Sequence, residues 1–460
     1  MTTPGTFSVR GKRVTVVGAA RSGVAAAELL VRRGAAVTLS DVREQIDQAG
    51  DLRSAGVRLE LGSHGTETLL RSDLVVLSPG VPAEQAAVAA ARAAGVHVIG
   101  ELELASRWLR GRIVAITGTK GKSTTTTLTG RMLEAGGHRV LVGGNIGHAL
   151  SAQVDDSTED TIHVVEASSF QLETIETFRP WIAVLLNFSP DHLDRHVSVD
   201  AYAAAKSRIF INQTADDWAV LNADDASVAP LASAAASRRV LFSMSDALVS
   251  GVCVRGDEIV RRTEEGDQPL VPLSAIRLLG RHLVADVLAA SAVASLAGVD
   301  AAAMTEAVEG FKGLEHALEP VSEIAGVLFV NDSKATNVEA ARRAIESFES
   351  VVVIMGGRFK GGSLGDLRDP LIARGATVVA IGEARPLIRA AFGDALPVHD
   401  AADMSAAVRT AFACAAPGAS VVLAPACASF DMFRDYAERG RVFKQEVLRL
   451  EEEWNGVREQ

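Results

Sequence analysis

The sequence predicts an α/β protein made of three consecutive domains, each built on a mostly parallel sheet. The first and third read as Rossmann-like, and the centre reads as a phosphate-loop core with a small β insertion. Three observations carry this. Short apolar runs alternate with helical patterns along the whole chain, as in doubly wound sheets. Several of these runs end in turns rich in glycine, hydroxyls or lysine, at the sheet edge where open α/β folds keep their ligands. The length of 460 residues also exceeds what a single hydrophobic core organises.

Residues 1–110 form the first predicted domain. Val14–Val17 reads as a buried strand, Gly18 opens a turn, and Val24–Val31 is helical. Ala36–Leu39 is the next strand, ending at Ser40–Asp41. Leu74–Leu77 follows, with Ser78-Pro79-Gly80 behind it, and Val96–Ile99 closes the domain. The turn VVGAARSG is close to a dinucleotide fingerprint, but Ala20 replaces its middle glycine. Asp41 stands about one βα unit later, where an acid meets a ribose. Nucleotide or nucleotide-sugar binding is expected here. A tight βα turn without a ligand is the plainer alternative.

Residues 111–314 form the second predicted domain. Ile113–Ile116 is an apolar strand, and TGTKGKSTTTT at 117–127 leads into Leu128, Met132 and Leu133 at helical spacing. A strand, a glycine turn and a helix start bind phosphate through free backbone N–H groups, with Lys122 adding a point charge. The loop is shorter than a Walker A motif, because Ile116 stands where its first glycine would be. Ser123 follows the lysine, where a hydroxyl ligates Mg²⁺. Further strands are Val140–Val142, His163–Val165, Ile182–Asn187 and Trp218–Leu221. Residues 240–275 read as the β-rich insertion, and His282–Ala297 as a helix. Glu166 ends a strand, and Asp191, His192, Asp194 and His196 crowd the next loop, a density that suits a hard cation. Taken singly, each is equally a solvated strand end or a polar loop. By spacing alone Lys206, on an alanine-rich helix, is a surface lysine.

Residues 315–460 form the third predicted domain, with strands Val327–Val330, Val351–Met355, Thr377–Ile381 and Ser420–Leu423. NDSKATN at 331–337, GGRFKGG at 356–362 and APACASFDMF at 424–433 each trail a strand, so they should share one sheet edge. Their lysines and hydroxyls suit an anionic carboxylate substrate. Each alone is an ordinary turn. VFKQEVLRLEEEW closes the chain as an amphipathic helix.

Composition excludes several classes. Apolar residues make up 48% and charged residues 22%, and the net charge is −11 with no basic block. A nucleic-acid backbone would be repelled. The three cysteines are far apart, which suits a reducing compartment rather than a disulfide or zinc framework. No apolar run is long enough to span a bilayer, so a cytoplasmic protein is expected.

In order, GTKGKST, VVEASSFQLE, NFSPDHLDRH, AKSRIF, NDSKATN, GGRFKGG and PACASFDMF resemble the motifs of the Mur ligases of peptidoglycan synthesis, over essentially the whole chain. NDSKATN, PACASFDMF and the early SPG are most similar to the glutamate-adding members. The resemblance implies an ATP-dependent amide ligase that adds D-glutamate to UDP-N-acetylmuramoyl-L-alanine through an acyl phosphate. It implies ATP on Gly118, Thr119, Lys120, Gly121, Lys122, Ser123 and Thr124, with Asp332 near it. It implies two Mg²⁺ ions, the first on Ser123 and Glu166 and the second helped by His192, and Lys206 converted to a carbamate that serves as a metal-site residue. Lys122, His192 and Lys206 would be the catalytic residues. Arg43, Ser78, Gly80, Asn145 and Gln171 would meet the UDP-substrate, and Lys334, Thr336, Lys360, Ser429 and Tyr436 the glutamate. The implied partners are these small molecules, with no nucleic acid and no membrane insertion, and the chain would act as a monomer.

The sequence departs from the family pattern at Val42, Lys120, Leu283, Ala317 and Tyr436. Lys120 would replace the charge of an arginine usual at position 317. Two rival readings remain at this level. One is a nicotinamide-dependent oxidoreductase, resting on VVGAARSG and Asp41, which leaves the phosphate loop unexplained. The other is a catalytically silent nucleotide-binding protein, motivated by Leu283 and Ala317.

Overall fold

The computed structural model describes residues 7–192, 195–277 and 282–458; Asp194 lies outside them. The first sheet holds β1 (Arg13–Val17), β2 (Ala36–Asp41), β3 (Arg58–Leu61), β4 (Leu74–Leu77) and β5 (Val98–Gly100), in the order β3-β2-β1-β4-β5. All its pairings are parallel. β4 is buried along its whole length, as its unbroken apolar run requires of a strand covered on both faces.

The second sheet is nine-stranded. It comprises β6 (Arg112–Thr117), β7 (Arg139–Gly144), β8 (Thr161–Glu166), β9 (Ile182–Leu185), β10 (Trp218–Asn222), β11 (Arg238–Ser243), β12 (Gly251–Arg255), β13 (Glu258–Thr263) and β14 (Gly266–Pro272). The order β14-β13-β12-β11-β10-β9-β6-β8-β7 makes the β-rich stretch an extension of the central sheet. β12 pairs parallel to β11, and β13 and β14 then fold back antiparallel.

The third sheet holds β15 (Glu319–Ile324), β16 (Val327–Asn331), β17 (Val351–Gly356), β18 (Thr377–Ile381), β19 (Val398–Asp400) and β20 (Ser420–Leu423). Its order is β15-β16-β20-β17-β18-β19, and β15 alone runs antiparallel, against β16. The closing helix spans Tyr436–Arg458. It starts before the stretch read as helical in the sequence and packs Phe443, Val447 and Leu450 into the core of this sheet.

By compactness the three sheet domains gather into two units. The five- and nine-stranded sheets lie in one, and the six-stranded sheet, from Phe311 onward, in the other. The physical reason lies in the helix Glu101–Ser106. Its Leu102 and Ala105 join Leu29 in one core with Ile113, Leu150 and Phe178. The buried Glu103 carboxylate accepts bonds from the backbone N–H groups of Glu176, Thr177 and Phe178 at 2.8, 3.0 and 2.9 Å, and from Arg107 Nε at 2.8 Å. Burial pushes its pKa up, but the bonds from Thr177, Glu176, Arg107 and Phe178 outweigh burial and hold it below the ordinary value.

Candidate active site

The phosphate loop joins β6 to the helix Lys122–Ala135. Gly121, at its N-cap, has φ +81°, and a Cβ there would lie 2.2 Å from Asp286 Oδ1. Only glycine fits, for both reasons. Asp286 sits beneath this turn and accepts a bond from Thr125 Oγ1 at 3.1 Å. Burial pushes its pKa up to about 8, so the carboxyl is largely neutral at pH 7.

Asn187, just past β9, clamps the loop. Its Oδ1 accepts from the N–H groups of Thr119 and Lys120 at 3.1 and 2.9 Å, and its Nδ2 donates to Lys120 O at 3.1 Å. Lys122 Nζ folds back to donate to Gly118 O and Thr119 O at 3.0 and 2.9 Å. Lys120 Nζ lies 3.5 Å from Asp191 Oδ2, so its charge is already answered within the loop cluster.

Glu166, at the end of β8, is 2% exposed. Its carboxylate accepts Ser123 Oγ–H at 2.7 Å and Asn145 Nδ2–H at 2.7 Å. Two hard oxygen donors thus meet beside the phosphate loop, a donor set that suits Mg²⁺. Asn145, expected at the UDP-substrate, orients this carboxylate.

Lys206 corrects the spacing-based reading of a surface lysine, since it is 1% exposed. Its helix, Val199–Ser207, turns Tyr202, Ala205 and Lys206 inward. Nζ donates to Gly118 O at 2.6 Å and lies 4.7 Å from the Tyr202 ring centroid. Burial, and then the neighbouring Lys122 charge, lower its pKa to about 6. His192, in the left-handed region at φ 55°, places its ring 6.2 Å from the same tyrosine. Tyr202 is therefore the wall shared by the two residues expected at the second metal. His196 is buried, bonded to Ser169 Oγ at 2.9 Å and to Glu173 at 3.1 Å, and stacked on Phe170.

Of the residues expected at the UDP-substrate, Ser78 and Gln171 line one cleft, together with Glu101 and Phe170 among others, whereas Arg43, Gly80 and Asn145 are not in its lining. Gln171 Oε1 caps its own short helix at Ser168, while its buried Nε2 has no partner among the described residues. A buried amide donor beside a cleft calls for a ligand acceptor. Gly80 O accepts from Arg195 at 3.2 Å. Arg43 is held by Asp41 at 2.9 Å, and Asp41 also accepts Ala19 N–H at 2.6 Å. That carboxylate serves its own turn, and the Arg43 guanidinium beside it holds it well below the usual carboxylate range. Gly23 keeps the fingerprint's close packing, for a Cβ there would meet Gly18 O at 1.8 Å.

In the second unit, β16, β20 and β17 are adjacent and parallel, so the loops behind them do share one edge. Lys360 Nζ donates to Thr336 Oγ1 at 3.4 Å, and Ala426 N–H pairs with Ala335 O at 3.0 Å. Ser429 is buried. Tyr436 is 41% exposed and meets the His316 ring edge-on. Asp332 is buried, and burial pushes its pKa up to about 7. Sequence reasoning missed Asn187, whose partners lie in the phosphate loop, and Arg439, whose guanidinium is wholly buried.

Fold and site together define a phosphate-loop enzyme with a cleft in the same unit and a lysine- and hydroxyl-lined edge on a separate sheet. Family models match three stretches: a MurD-like Mur ligase N-terminal domain at residues 12–100, the Mur ligase middle domain at 116–294, and the Mur ligase glutamate ligase domain at 318–427. The UDP-N-acetylmuramoylalanine–D-glutamate ligase of Acidobacterium capsulatum is 48% identical, over 96% of this chain and 97% of its own. The enzyme of that name from Koribacter versatilis is 45% identical, over 97% and 99%. The solved UDP-N-acetylmuramate–alanine ligase of Thermotoga maritima shares the fold at a TM-score of 0.59, with 19% identity over 95% of this chain and 99% of that one. The chain belongs to the Mur ligase family. Members of this family use ATP as co-substrate.

Proposed function

We propose that this chain joins D-glutamate to the carboxylate of UDP-N-acetylmuramoyl-L-alanine, with ATP as the activating co-substrate, in the cytoplasmic synthesis of peptidoglycan precursors. The observation that carries the reading is the clamped phosphate loop, with Lys122 above it and the Ser123–Glu166 pair beside it. The names of relatives 48% and 45% identical support the choice of substrates. An oxidoreductase reading has no such support, and Asp41 is engaged by its own chain.

A carboxylate oxygen of the muramoyl-alanine attacks the γ-phosphorus of ATP, and ADP leaves. The glutamate amine then attacks the acyl carbon, loses a proton, and phosphate leaves as the amide forms. Both first reactants are anions, so the enzyme's task is to neutralise charge and hold the line of attack. The N–H groups of residues 121–124 at the helix start and the Lys122 ammonium receive the β- and γ-phosphates, Lys122 giving up its bonds to Gly118 and Thr119. Ser123 and Glu166 would hold a Mg²⁺ ion, which when bound offsets phosphate charge. His192 and Lys206 would hold a second. Among the described residues no cluster of three His, Cys, Asp or Glu side chains is placed to hold a metal, and a Lys206 carbamate would add a carboxylate to those of Asp191 and Glu166, whose fields reach it. It forms when the neutral amine adds to CO₂ and releases a proton.

Arg43, Ser78, Gly80 and Gln171 are assigned to the UDP-sugar, and Lys334, Thr336, Lys360, Ser429 and Tyr436 to glutamate. Asn145 is assigned to the sugar-peptide through the face it does not use on Glu166. We place the domain limits at residues 110 and 314, and the active species as a monomer. The decisive assay is phosphate release from ATP and Mg²⁺ with UDP-N-acetylmuramoyl-L-alanine, offering D- or L-glutamate in separate reactions and identifying the product by mass. Turnover with D-glutamate is expected. Turnover with L-glutamate alone would change the substrate, and none with either would reject the function.

A further inference from the structure

Arg439 is among the most deeply buried large side chains of the second unit, at 0% exposure. It lies near the start of the closing helix, beneath the loops that follow β16 and β20. Nε donates to Ser333 Oγ at 2.9 Å, Nη2 to Ser333 O at 2.9 Å and Nη1 to Cys427 O at 3.1 Å. Ser333 Oγ–H in turn donates to Tyr436 O at 2.7 Å. Every acceptor in this set is neutral. Among the described residues no carboxylate forms an ion pair with the guanidinium, and Asp431, the acid whose field reaches it, accepts from Glu383 N–H at 2.9 Å.

Burying an unpaired charge is unfavourable, and hydrogen bonds to neutral acceptors offset only part of the desolvation. A core built for stability alone would place an apolar side chain or a paired arginine here. Burial lowers the pKa only to about 10, so the group remains cationic at neutral pH. The positions it ties, Ser333 and Cys427, immediately precede Lys334 and Ala428–Ser429 on the edge that carries Lys360 and Thr336. A fixed cation in a low-dielectric interior projects its field towards that edge, where an exposed one would be screened.

We propose that Arg439 is a positioning residue of the amino-acid subsite: its guanidinium fixes the loops after β16 and β20 in register, and its uncompensated charge favours the carboxylates of the incoming glutamate. This rests on the assignment of glutamate to Lys334, Thr336, Lys360 and Ser429. The charge is directed at the amino acid and leaves the binding of UDP-substrate in the first unit untouched.

The test is steady-state kinetics of the full chain with ATP, Mg²⁺ and UDP-N-acetylmuramoyl-L-alanine, varying each substrate in turn. R439Q keeps hydrogen-bond donors and removes the charge. It should raise KM for D-glutamate roughly 10- to 100-fold, the range for a lost charge-assisted interaction, with KM for UDP-substrate unchanged. R439K keeps the charge and loses the fork, and should stay within roughly threefold of the parent in KM for D-glutamate, the scale of a single hydrogen bond between neutral groups. Equal impairment in both variants, or a matching rise in KM for UDP-substrate, would overturn the proposal. If R439Q does not fold, R439K decides alone, since a tenfold or larger rise there excludes the role of charge. K360A serves as the separate check on the subsite. An unchanged KM for D-glutamate in K360A rejects the assignment itself, whereas a raised KM in K360A with a normal R439Q rejects only the role of Arg439.

Discussion

Lys206 shows most clearly what a residue's setting does to its chemistry. On an alanine-rich helix its position in the sequence says little, because alanine marks neither a buried nor an exposed face. Folding places Nζ against Gly118 O, within the field of Lys122, where burial and that like charge bring its pKa to about 6. At pH 7.5 most of the amine is then neutral and able to add CO₂. The expected outcome is a carbamate carbon resonance in protein equilibrated with ¹³C-labelled bicarbonate, absent in K206R, with turnover of that variant reduced roughly 100-fold or more. A resonance that persists in K206R, or none in the parent, would reject the carbamate. At this scale the phosphate loop was legible, because its glycines, lysine and hydroxyl are adjacent in sequence and the chemistry is local. Asn187 and Arg439 were not. Asn187 reaches partners 67 and 68 residues away and Arg439 ties one 12 and one 106 residues away, and neither side chain's type announces a clamp.

Among elements, apolar strands such as β4 and β17 were legible because a strand buried on both faces needs an unbroken apolar run. β3, β15 and β19 were not read as strands. Each lies at a sheet edge, is only partly buried and carries charged side chains, so no period stands out. The helix Glu101–Ser106 was also missed, although Glu103 within it joins two sheets. Glu103→Gln removes the charge that the three backbone N–H groups and Arg107 answer, and should cost the first unit about 3–5 kcal/mol, as for the broken partner of a buried pair. The pH dependence has a definite sign. The folded-state pKa lies below the ordinary 4.5, so the stabilisation is fully present above pH 4.5 and fades as pH falls through the folded value. Urea unfolding of parent and variant across that range should therefore converge in acid. A difference that stays constant with pH would show that Glu103 does not act through its charge.

For the whole molecule, three sheets are distributed over two compact units, and the sequence boundary near residue 110 runs through a continuous core. Leu29 and Leu102 pack with Ile113 and Phe178, Arg32 and Arg33 pair with Asp155 at 2.9 and 2.6 Å, and Glu101 accepts Ser151 N–H at 2.7 Å. Two sheets that share a core and buried hydrogen bonds lose both together, so they should unfold as one cooperative body. The six-stranded sheet has its own core on each face and should unfold as another. Calorimetry of the full chain is then expected to resolve two transitions. A ligand that binds one native unit stabilises it by mass action, by about 2.7 kcal/mol at a hundredfold excess over its dissociation constant. UDP-N-acetylmuramoyl-L-alanine should therefore move one transition, and D-glutamate, whose assigned contacts all lie beyond Phe311, the other. Three transitions would restore the boundary at residue 110 as a break in cooperativity. A single transition moved equally by both ligands would mean that the two units hold each other folded.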